Sequence, residues 1–270
     1  MTGAAVPAAA RRVRHDRELL TGGGQPPEVF RPAMVAGLPE PARRWLTHAL
    51  VPGTPLWPSV VLSMAGEIRL GYWRPFTARQ VLAPPRGFVW AAATRLSGLP
   101  VTGFDRYSSG SGRMDRRLAG LVPVVTAAGP DVTRSAAGRL AGETALVPTA
   151  FRAARWTPGA DEDRTVVTWS IDAQEESAEL HVEADGRLSG VVVQRWGNPD
   201  GARSGRRRFG RHPFGRHPFG RHPFGVAIEA EETFAGVTIG SVLRAGWWWG
   251  TDRQPEGEFF RARITDAVFC

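Results

Sequence analysis

Lysine is absent from this sequence, and cysteine occurs once. All 34 basic residues are arginine, a bias that a GC-rich genome explains without selection for phosphate contacts. The single cysteine, Cys270, cannot form an intrachain disulfide, so the chain carries no mark of an oxidising compartment. A chain of 270 residues is long enough to fold on its hydrophobic core without such cross-links.

Long apolar runs are also missing. No window approaches the 18 apolar residues of a transmembrane helix. The first twenty residues, MTGAAVPAAARRVRHDRELL, contain no apolar stretch of the kind that a signal peptide needs. From these two shortages we expect a cytoplasmic protein.

Familiar catalytic signatures are absent as well. The sequence has no G-x-S-x-G elbow, no Walker loop, no H-E-x-x-H and no C-x-x-C. It therefore predicts neither a metal nor a cofactor, and it favours a protein that is not an enzyme.

What the chain has in excess is positive charge, concentrated in one tract. The net charge is +8, but residues 203–222 contain seven arginines and no acid, so the rest of the chain carries only +1. A basic surface spread over a domain is typical of nucleic-acid binding, whereas this charge is local. We therefore expect no nucleic-acid partner.

The same tract contains the pentapeptide FGRHP three times in succession, over residues 209–223. Arginine interleaved with phenylalanine could bind single-stranded nucleic acid, and the histidines His212, His217 and His222 could bind a metal. A slipped repeat in a permissive loop explains the identity of the three copies better. Proline in each copy disfavours a helix or a central strand.

Hydrophobic periodicity predicts the fold. A period of 3.6 indicates helices over residues 38–50 and 131–145, and a period of two, with Gly/Pro turns such as Asp185-Gly186, indicates about ten strands elsewhere. The predicted class is α+β and mostly β, with one large curved antiparallel sheet, a half-barrel, wrapped over two helices that lie on a single face. Residues 1–35 are predicted to be a disordered or loosely attached tail, and residues 36–270 a single domain with a flexible, exposed loop at 200–225.

Few polar residues stand out as candidates for a site. Asp105 and Tyr107 end a predicted strand beside a Gly/Ser loop, and Arg139 and Glu143 flank the apolar stripe of the second helix. For each of these residues, and for each that follows, a structural ion pair or polar anchor is the favoured interpretation. The other candidates follow or belong to a run of three tryptophans: Trp248, Asp252 and Arg253.

Several stretches together resemble an uncharacterised bacterial family that is common in GC-rich actinobacteria. The resemblance spans about residues 35–269, most of the chain, and the stretches read LPEPARRWLTHAL, GEIRLGYWRPFTARQV, GFDRYSSGSGRMDRRLAGLVPVV, GPDVTRSAAGRLAGE, VPTAF, RAGWWWGTDR and GEFFRARIT. The resemblance implies no activity. It implies a fold similar to the half-barrel of periplasmic lipoprotein carriers, in which one short connection replaces the tripled tract.

These observations lead to a ranked set of hypotheses. The first is non-catalytic binding of a hydrophobic or amphipathic, lipid-like molecule, which the load of ten tryptophans and thirteen phenylalanines favours. The alternatives are an enzyme that uses Asp105, Arg139 and Glu143, and nucleic-acid contact through residues 203–222. The first alternative requires the three side chains to converge in one cleft.

Overall fold

An antiparallel sheet of 13 strands dominates the protein. The structure is a computed structural model and describes residues 9–22, 27–172, 174–200 and 219–270. In chain order the strands are β1 Val60–Leu70, β2 Tyr72–Ala83, β3 Gly87–Leu96, β4 Leu99–Ser108, β5 Ser111–Leu118, β6 Val122–Ala128, β7 Arg155–Pro158, β8 Arg164–Ile171, β9 Gln174–Val182, β10 Leu188–Gly197, β11 Gly220–Phe234, β12 Val237–Trp247 and β13 Glu258–Phe269.

Short helices flank the sheet. The α-helices are α1 Ala9–Arg12, α2 Arg14–Thr21, α3 Glu40–Ala49, α4 Pro130–Glu143 and α5 Gln254–Gly257, and three 3-10 helices span Pro32–Val35, Thr144–Leu146 and Pro148–Ala153. Helices α3 and α4 correspond to the two that periodicity predicts. Both begin with proline in the first turn, where the missing N–H costs no hydrogen bond.

The strand order is β6-β5-β4-β3-β2-β1-β13-β12-β11-β10-β9-β8-β7. Two meanders, β1 to β6 and β7 to β12, are thus joined by β13, which pairs with β1 on one side and β12 on the other. The sheet is not closed, since β6 and β7 stand at its two ends. It is nevertheless strongly curled. The evidence is the hydrogen bond that the Tyr107 hydroxyl of β4 donates to Asp172 at the end of β8, in the other half of the sheet.

The concave face of the curled sheet holds the main core. Helix α3 contributes Trp45 and Leu46, α4 contributes Leu140, and β8 contributes Trp169, each of them 4% exposed or less. Alternation along the strands supplies the apolar side chains that these helices cover. The predicted fold class, a mostly β protein with a large antiparallel sheet over two helices, is confirmed.

Both predicted helices lie on the concave face, and two further helices, which the sequence did not predict, lie on the other face. In the predicted tail, α1 and α2 pack on the convex face, where Val13 and Leu20 are buried with Val89 and Phe104. The segment is short and rich in arginine, so its apolar stripe is too sparse for periodicity to detect. Residues 9–22 therefore belong to the folded unit rather than to a loose tail.

Two further strands lack a sequence signal. The edge strands β6 and β7 were not predicted, because Val122–Ala128 is mostly exposed and Arg155–Pro158 is only four residues long. Neither shows the alternation that identifies a half-buried strand.

The predicted loop at 200–225 also needs correction. Residues 201–218, with the first two copies of FGRHP, lie outside the described residues, but the third copy opens β11 and pairs with β10 from Gly197↔Gly220 onward. Pro223 fits because pairing with β12 begins only at Phe224, so its missing N–H faces no partner strand.

Removal of residues 211–220 should change the free energy of unfolding by less than about 1 kcal/mol, since loop-length effects are logarithmic. The identity of the repeats makes this deletion conservative, because one FGRHP unit still precedes Phe224 and can form the start of β11. Thermal and urea melts would check it. Deletion of all three copies, residues 209–223, is the contrasting variant and should destabilise clearly more. Equal, large losses for both deletions would contradict the prediction.

A candidate arginine and aromatic site on the concave face

A charged network connects α4 to the first half of the sheet. Arg139 donates to the Oδ2 atom of Asp105 at 3.2 Å and to the Oε1 atom of Glu143 at 2.7 Å. Glu143 also accepts a hydrogen bond from Gln80 at 2.5 Å, and Arg116 lies 3.0 Å from Asp105. The structure therefore brings together Asp105, Arg139 and Glu143, as the enzymatic hypothesis requires.

Small residues let α4 lie close enough to the sheet to form this network. A Cβ on Gly112 of β5 would come within 2.6 Å of the Thr133 Cα atom, so the helix begins directly on that strand. Further along, Gly138 faces β10, where a Cβ would lie 3.4 Å from the Arg195 Cγ atom. Helix α4 thus bridges the two halves of the curled sheet.

Arg195 of β10, in the second half of the sheet, contacts helix α4. Its Nε atom donates to the Ser135 carbonyl at 3.2 Å, and its guanidinium lies 4.9 Å from the ring centre of Phe224 and 5.1 Å from that of Trp247. Burial lowers the pKa of Arg195 to about 10, and the positive charge of Arg139 acts in the same direction. The cation is therefore held in surroundings that disfavour its charge.

Positive charge exceeds negative charge in this cluster. Three guanidinium groups, those of Arg116, Arg139 and Arg195, lie around two carboxylates, those of Asp105 and Glu143. Within the described part of the chain, Arg195 makes no ion pair of its own. An anion bound beside Arg195 would balance the cluster.

Aromatic rings surround the same cluster. Phe76 stacks on Phe260 at 5.2 Å, and Trp90 lies 5.8 Å from Phe76 with its ring edge-on. The rings of Phe224 and Trp247 are 5.2 Å apart, and these two and Phe260 remain half-buried. The Nε1 donor of Trp90 is buried and has no hydrogen-bond acceptor among the described residues, which is unusual for an indole.

We refer to this arrangement as the concave site: two guanidinium groups beside aromatic rings, of which Phe224, Trp247 and Phe260 are partly exposed. Cations next to aromatic faces can hold an anionic head group while the rings contact an apolar chain. The site consists of Arg139, Arg195, Trp90, Phe224, Trp247 and Phe260.

Sequence analysis missed Arg195, although a signal is present. In β10 the residues Val191, Val193 and Arg195 share one face by alternation, and the two valines are buried. An arginine in register with a buried stripe is a candidate in its own right. The signal is weak because an arginine near a strand end usually reaches solvent.

Tyr107 has a separate position on the concave side. Burial raises the pKa of its hydroxyl, and the hydrogen bond to Asp172 adds to the shift. The hydroxyl is thus a donor that ties β4 to the end of β8 across the interior. We interpret Tyr107 as an anchor between the two halves of the sheet.

The remaining candidates form a second group in the connection between β12 and β13. The guanidinium of Arg253 lies 3.8 Å from the ring centre of Trp248 and pairs with Asp200 at 2.6 Å. Trp248 is 6% exposed, whereas Asp252 is exposed. None of the contacts described for Trp248, Asp252 or Arg253 joins them to the network around Arg139.

One arginine of the basic tract is part of the fold. Arg221 donates two hydrogen bonds to Glu176, at 2.9 and 3.0 Å, and Glu176 is 3% exposed. Sequence analysis did not identify Arg221 and Glu176 as a pair. The other six arginines of residues 203–222 lie outside the described residues, so the prediction of no nucleic-acid partner stays a prediction.

Two pockets formed by the described residues are both small. An apolar cavity of about 10 Å³, lined by Trp45, Trp156, Trp169 and their neighbours, holds one water at most. A surface pocket of about 50 Å³ lies between Glu183 and Glu231. Both are far below the roughly 300–1,000 Å³ of an enclosing ligand pocket.

The described residues contain neither a cluster of metal ligands nor a helix that could span a membrane. No group of three or more His, Cys, Asp or Glu side chains there could hold a metal ion, and His212 and His217 lie outside that part of the chain. In the same residues no helix is long and apolar enough to cross a membrane.

The fold is similar to that of two solved structures. One is a putative outer membrane lipoprotein-sorting protein domain from Vibrio parahaemolyticus, with 9% identity, 79% of this chain and 86% of that chain covered, and a TM-score of 0.41. The other is a LolA superfamily protein from Nitrosomonas europaea, with 8% identity, 87% and 94% coverage, and a TM-score of 0.43. At these values the likeness concerns the fold alone.

Sequence comparison gives a family but no activity. No curated protein sequence matches the chain. A family model described as a family of unknown function, DUF6544, matches residues 28–259, which include β1 to β12 and the first two residues of β13. The chain therefore belongs to the DUF6544 family of unknown function.

Proposed function

We propose that the protein binds an anionic, amphipathic, lipid-like molecule at the concave site. The observation that carries the proposal is Arg195, a half-buried cation that makes no ion pair within the described residues and contacts the rings of Phe224 and Trp247. An anionic head group would offset the burial of this charge, and the half-buried rings offer a surface for an alkyl chain.

The ligand lies along the concave face rather than inside the core. The apolar cavity beside Trp45 and Trp169 is too small for a chain, whereas Phe224, Trp247 and Phe260 are partly exposed. An open surface of this kind contacts one side of an alkyl chain and leaves the other side to solvent or to a second surface.

The enzymatic alternative meets only part of its geometric condition: Asp105 and Glu143 both contact Arg139, but neither described pocket is lined by these residues. The same geometry is that of an ion-pair network that holds α4 on the sheet. The excess positive charge and the partly exposed rings are explained by binding and not by such an anchor, so we favour binding.

Titration with dodecanoate, followed by tryptophan fluorescence, tests the proposal. We expect saturable binding, and we expect Arg195→Gln to weaken it about 10- to 100-fold, the usual loss for one charge-assisted hydrogen bond. Native mass spectrometry should show the one-to-one complex. Dodecyltrimethylammonium, with the same chain and the opposite charge, should bind much more weakly.

Arg155→Gln is the matched control, because Arg155 is an exposed arginine of β7 that pairs with Glu175 at 3.1 Å. This variant should bind dodecanoate as the wild type does. The proposal fails if dodecanoate shows no saturable binding, or if Arg195→Gln and Arg155→Gln behave alike.

A further inference from the structure

Three neighbouring β-hairpins end in exposed apolar side chains. The turns β1–β2, β3–β4 and β5–β6 lie at the same end of the sheet, because consecutive antiparallel strands return to it. With strands about 4.8 Å apart, adjacent tips are about 10 Å apart. We call them the hairpin tips; they carry Leu70, Tyr72, Leu96, Leu99, Leu121 and Val122.

These side chains extend away from the protein. Tyr72 and Leu121 are each 77% exposed and Val122 is 59% exposed, the highest values among the large apolar residues that the structure describes. The turns are tight: Ser97 and Gly98 both have positive φ, so Leu96 and Leu99 flank a two-residue turn. Apolar side chains clustered on neighbouring tight turns form a larger exposed apolar surface than the scattered apolar residues that are ordinary on a soluble protein.

Arginine accompanies the apolar residues. The first two tips carry Arg69, Arg74 and Arg95, and no acidic residue occurs from position 68 to position 104. The contacts of these arginines in the described residues are to backbone carbonyls or rings: Arg69 to the Glu256 carbonyl, Arg95 to the Gly98 carbonyl at 3.0 Å, and Arg74 to the Tyr72 ring. Their charges are therefore not neutralised by carboxylates there.

We infer that the hairpin tips dock on an anionic lipid surface. Aliphatic and aromatic side chains of this size enter the boundary between head groups and acyl chains, and guanidinium groups just behind them contact lipid phosphates. An apolar protein partner would bury the same leucines. It would not by itself explain why the neighbouring arginines are not paired with carboxylates in the described residues, whereas an anionic lipid surface does. This inference does not depend on the proposed ligand, since the tips are separate from the concave site.

Co-sedimentation with vesicles tests the inference. The protein should bind phosphatidylcholine vesicles that contain phosphatidylglycerol, bind pure phosphatidylcholine vesicles much less, and lose binding as salt is raised. The variant Tyr72→Ser/Leu99→Ser/Leu121→Ser should lower partitioning at least about tenfold. The variant Arg69→Gln/Arg74→Gln/Arg95→Gln should lower it about fivefold per arginine.

Exposed apolar residues elsewhere provide the control. Leu19, Val51 and Val268 are 50%, 52% and 51% exposed and lie outside the hairpin tips, so Leu19→Ser/Val51→Ser/Val268→Ser should keep vesicle binding. Circular dichroism verifies that all variants fold. The serine variant of the tips should still bind dodecanoate, so that this inference and the proposed function can fail separately.

Several results would overturn the inference. Absence of binding to anionic vesicles would do so, as would equal partitioning to neutral and anionic vesicles. An equal loss in the control variant would show that the tips are not special. If sedimentation without lipid reveals a dimer that the tip variant abolishes, the tips form a protein interface instead.

Discussion

Replacement of Arg221 by alanine should lower the free energy of unfolding by about 3 kcal/mol. The substitution leaves the carboxylate of Glu176, which is 3% exposed, without the two hydrogen bonds that it receives from Arg221. An uncompensated buried charge costs far more than the loss of an exposed pair. Urea denaturation at neutral pH measures the change.

The repeat supplies an unusually close control for this experiment. Arg211→Ala makes the same substitution in the same FGRHP context, and we expect it to change stability by less than about 0.5 kcal/mol. Arg221→Met/Glu176→Leu, which removes both charges, should recover most of the loss. Equal effects of Arg221→Ala and Arg211→Ala would contradict the role of the third copy in β11.

Replacement of Asp115 by asparagine should destabilise the protein by about 2 kcal/mol. The Asp115 side chain is 2% exposed on the convex face and pairs with Arg12 at 2.5 Å and with Arg117 at 3.1 Å. Burial alone would raise the pKa of Asp115, but hydrogen bonds from Arg117 and Arg12 outweigh it and the net pKa is below the usual value. The carboxylate is thus stabilised in the folded state.

The pH dependence of this effect has a definite sign. Because the folded-state pKa of Asp115 is lowered, its contribution is complete above the unfolded-state value of about 3.9 and is lost as pH falls through the lower folded value. The stability difference between wild type and Asp115→Asn should therefore be constant from neutral pH to about pH 5 and shrink below about pH 4.

Asp185→Asn is the matched control for that measurement, because Asp185 is an exposed carboxylate that pairs with Arg187 at 2.8 Å. It should change stability by less than about 1 kcal/mol. A difference between wild type and Asp115→Asn that grew as the solution became more acidic would refute the assignment.

Local sequence patterns were sufficient to predict most of the strands, but they were not sufficient to predict the elements that distant contacts hold against the sheet. Alternation gave β1 from Val60 to Leu70, and the Asp185-Gly186 turn was correct, since Gly186 has a φ of +91°. Local patterns did not predict helices α1 and α2, because these helices pack on Val89 and Phe104, which are distant in sequence. The same reason explains β11. The third repeat forms a strand because it pairs with β10 and is bound by Glu176.

The site was predictable in part for a related reason. Arg139 and Glu143 are four residues apart on one helix, so their pairing follows from the sequence. Asp105 could be named as a polar strand residue but not joined to them without the curl of the sheet. Arg195 depends on the packing of α4 against β10, which no local pattern encodes. Trp248 and Arg253 contact each other in the connection between β12 and β13, and their role in ligand binding stays a prediction.

The central place of β13 has a consequence for the order of folding. This strand is the last in chain order, yet it separates β1 from β12 and closes pairings such as Val60↔Phe269 across most of the sequence. During synthesis the two meanders therefore exist before the strand that unites them, and β1 and β12 each present an open edge. Contacts this distant make folding slow and leave the nascent chain prone to aggregation until β13 has been inserted.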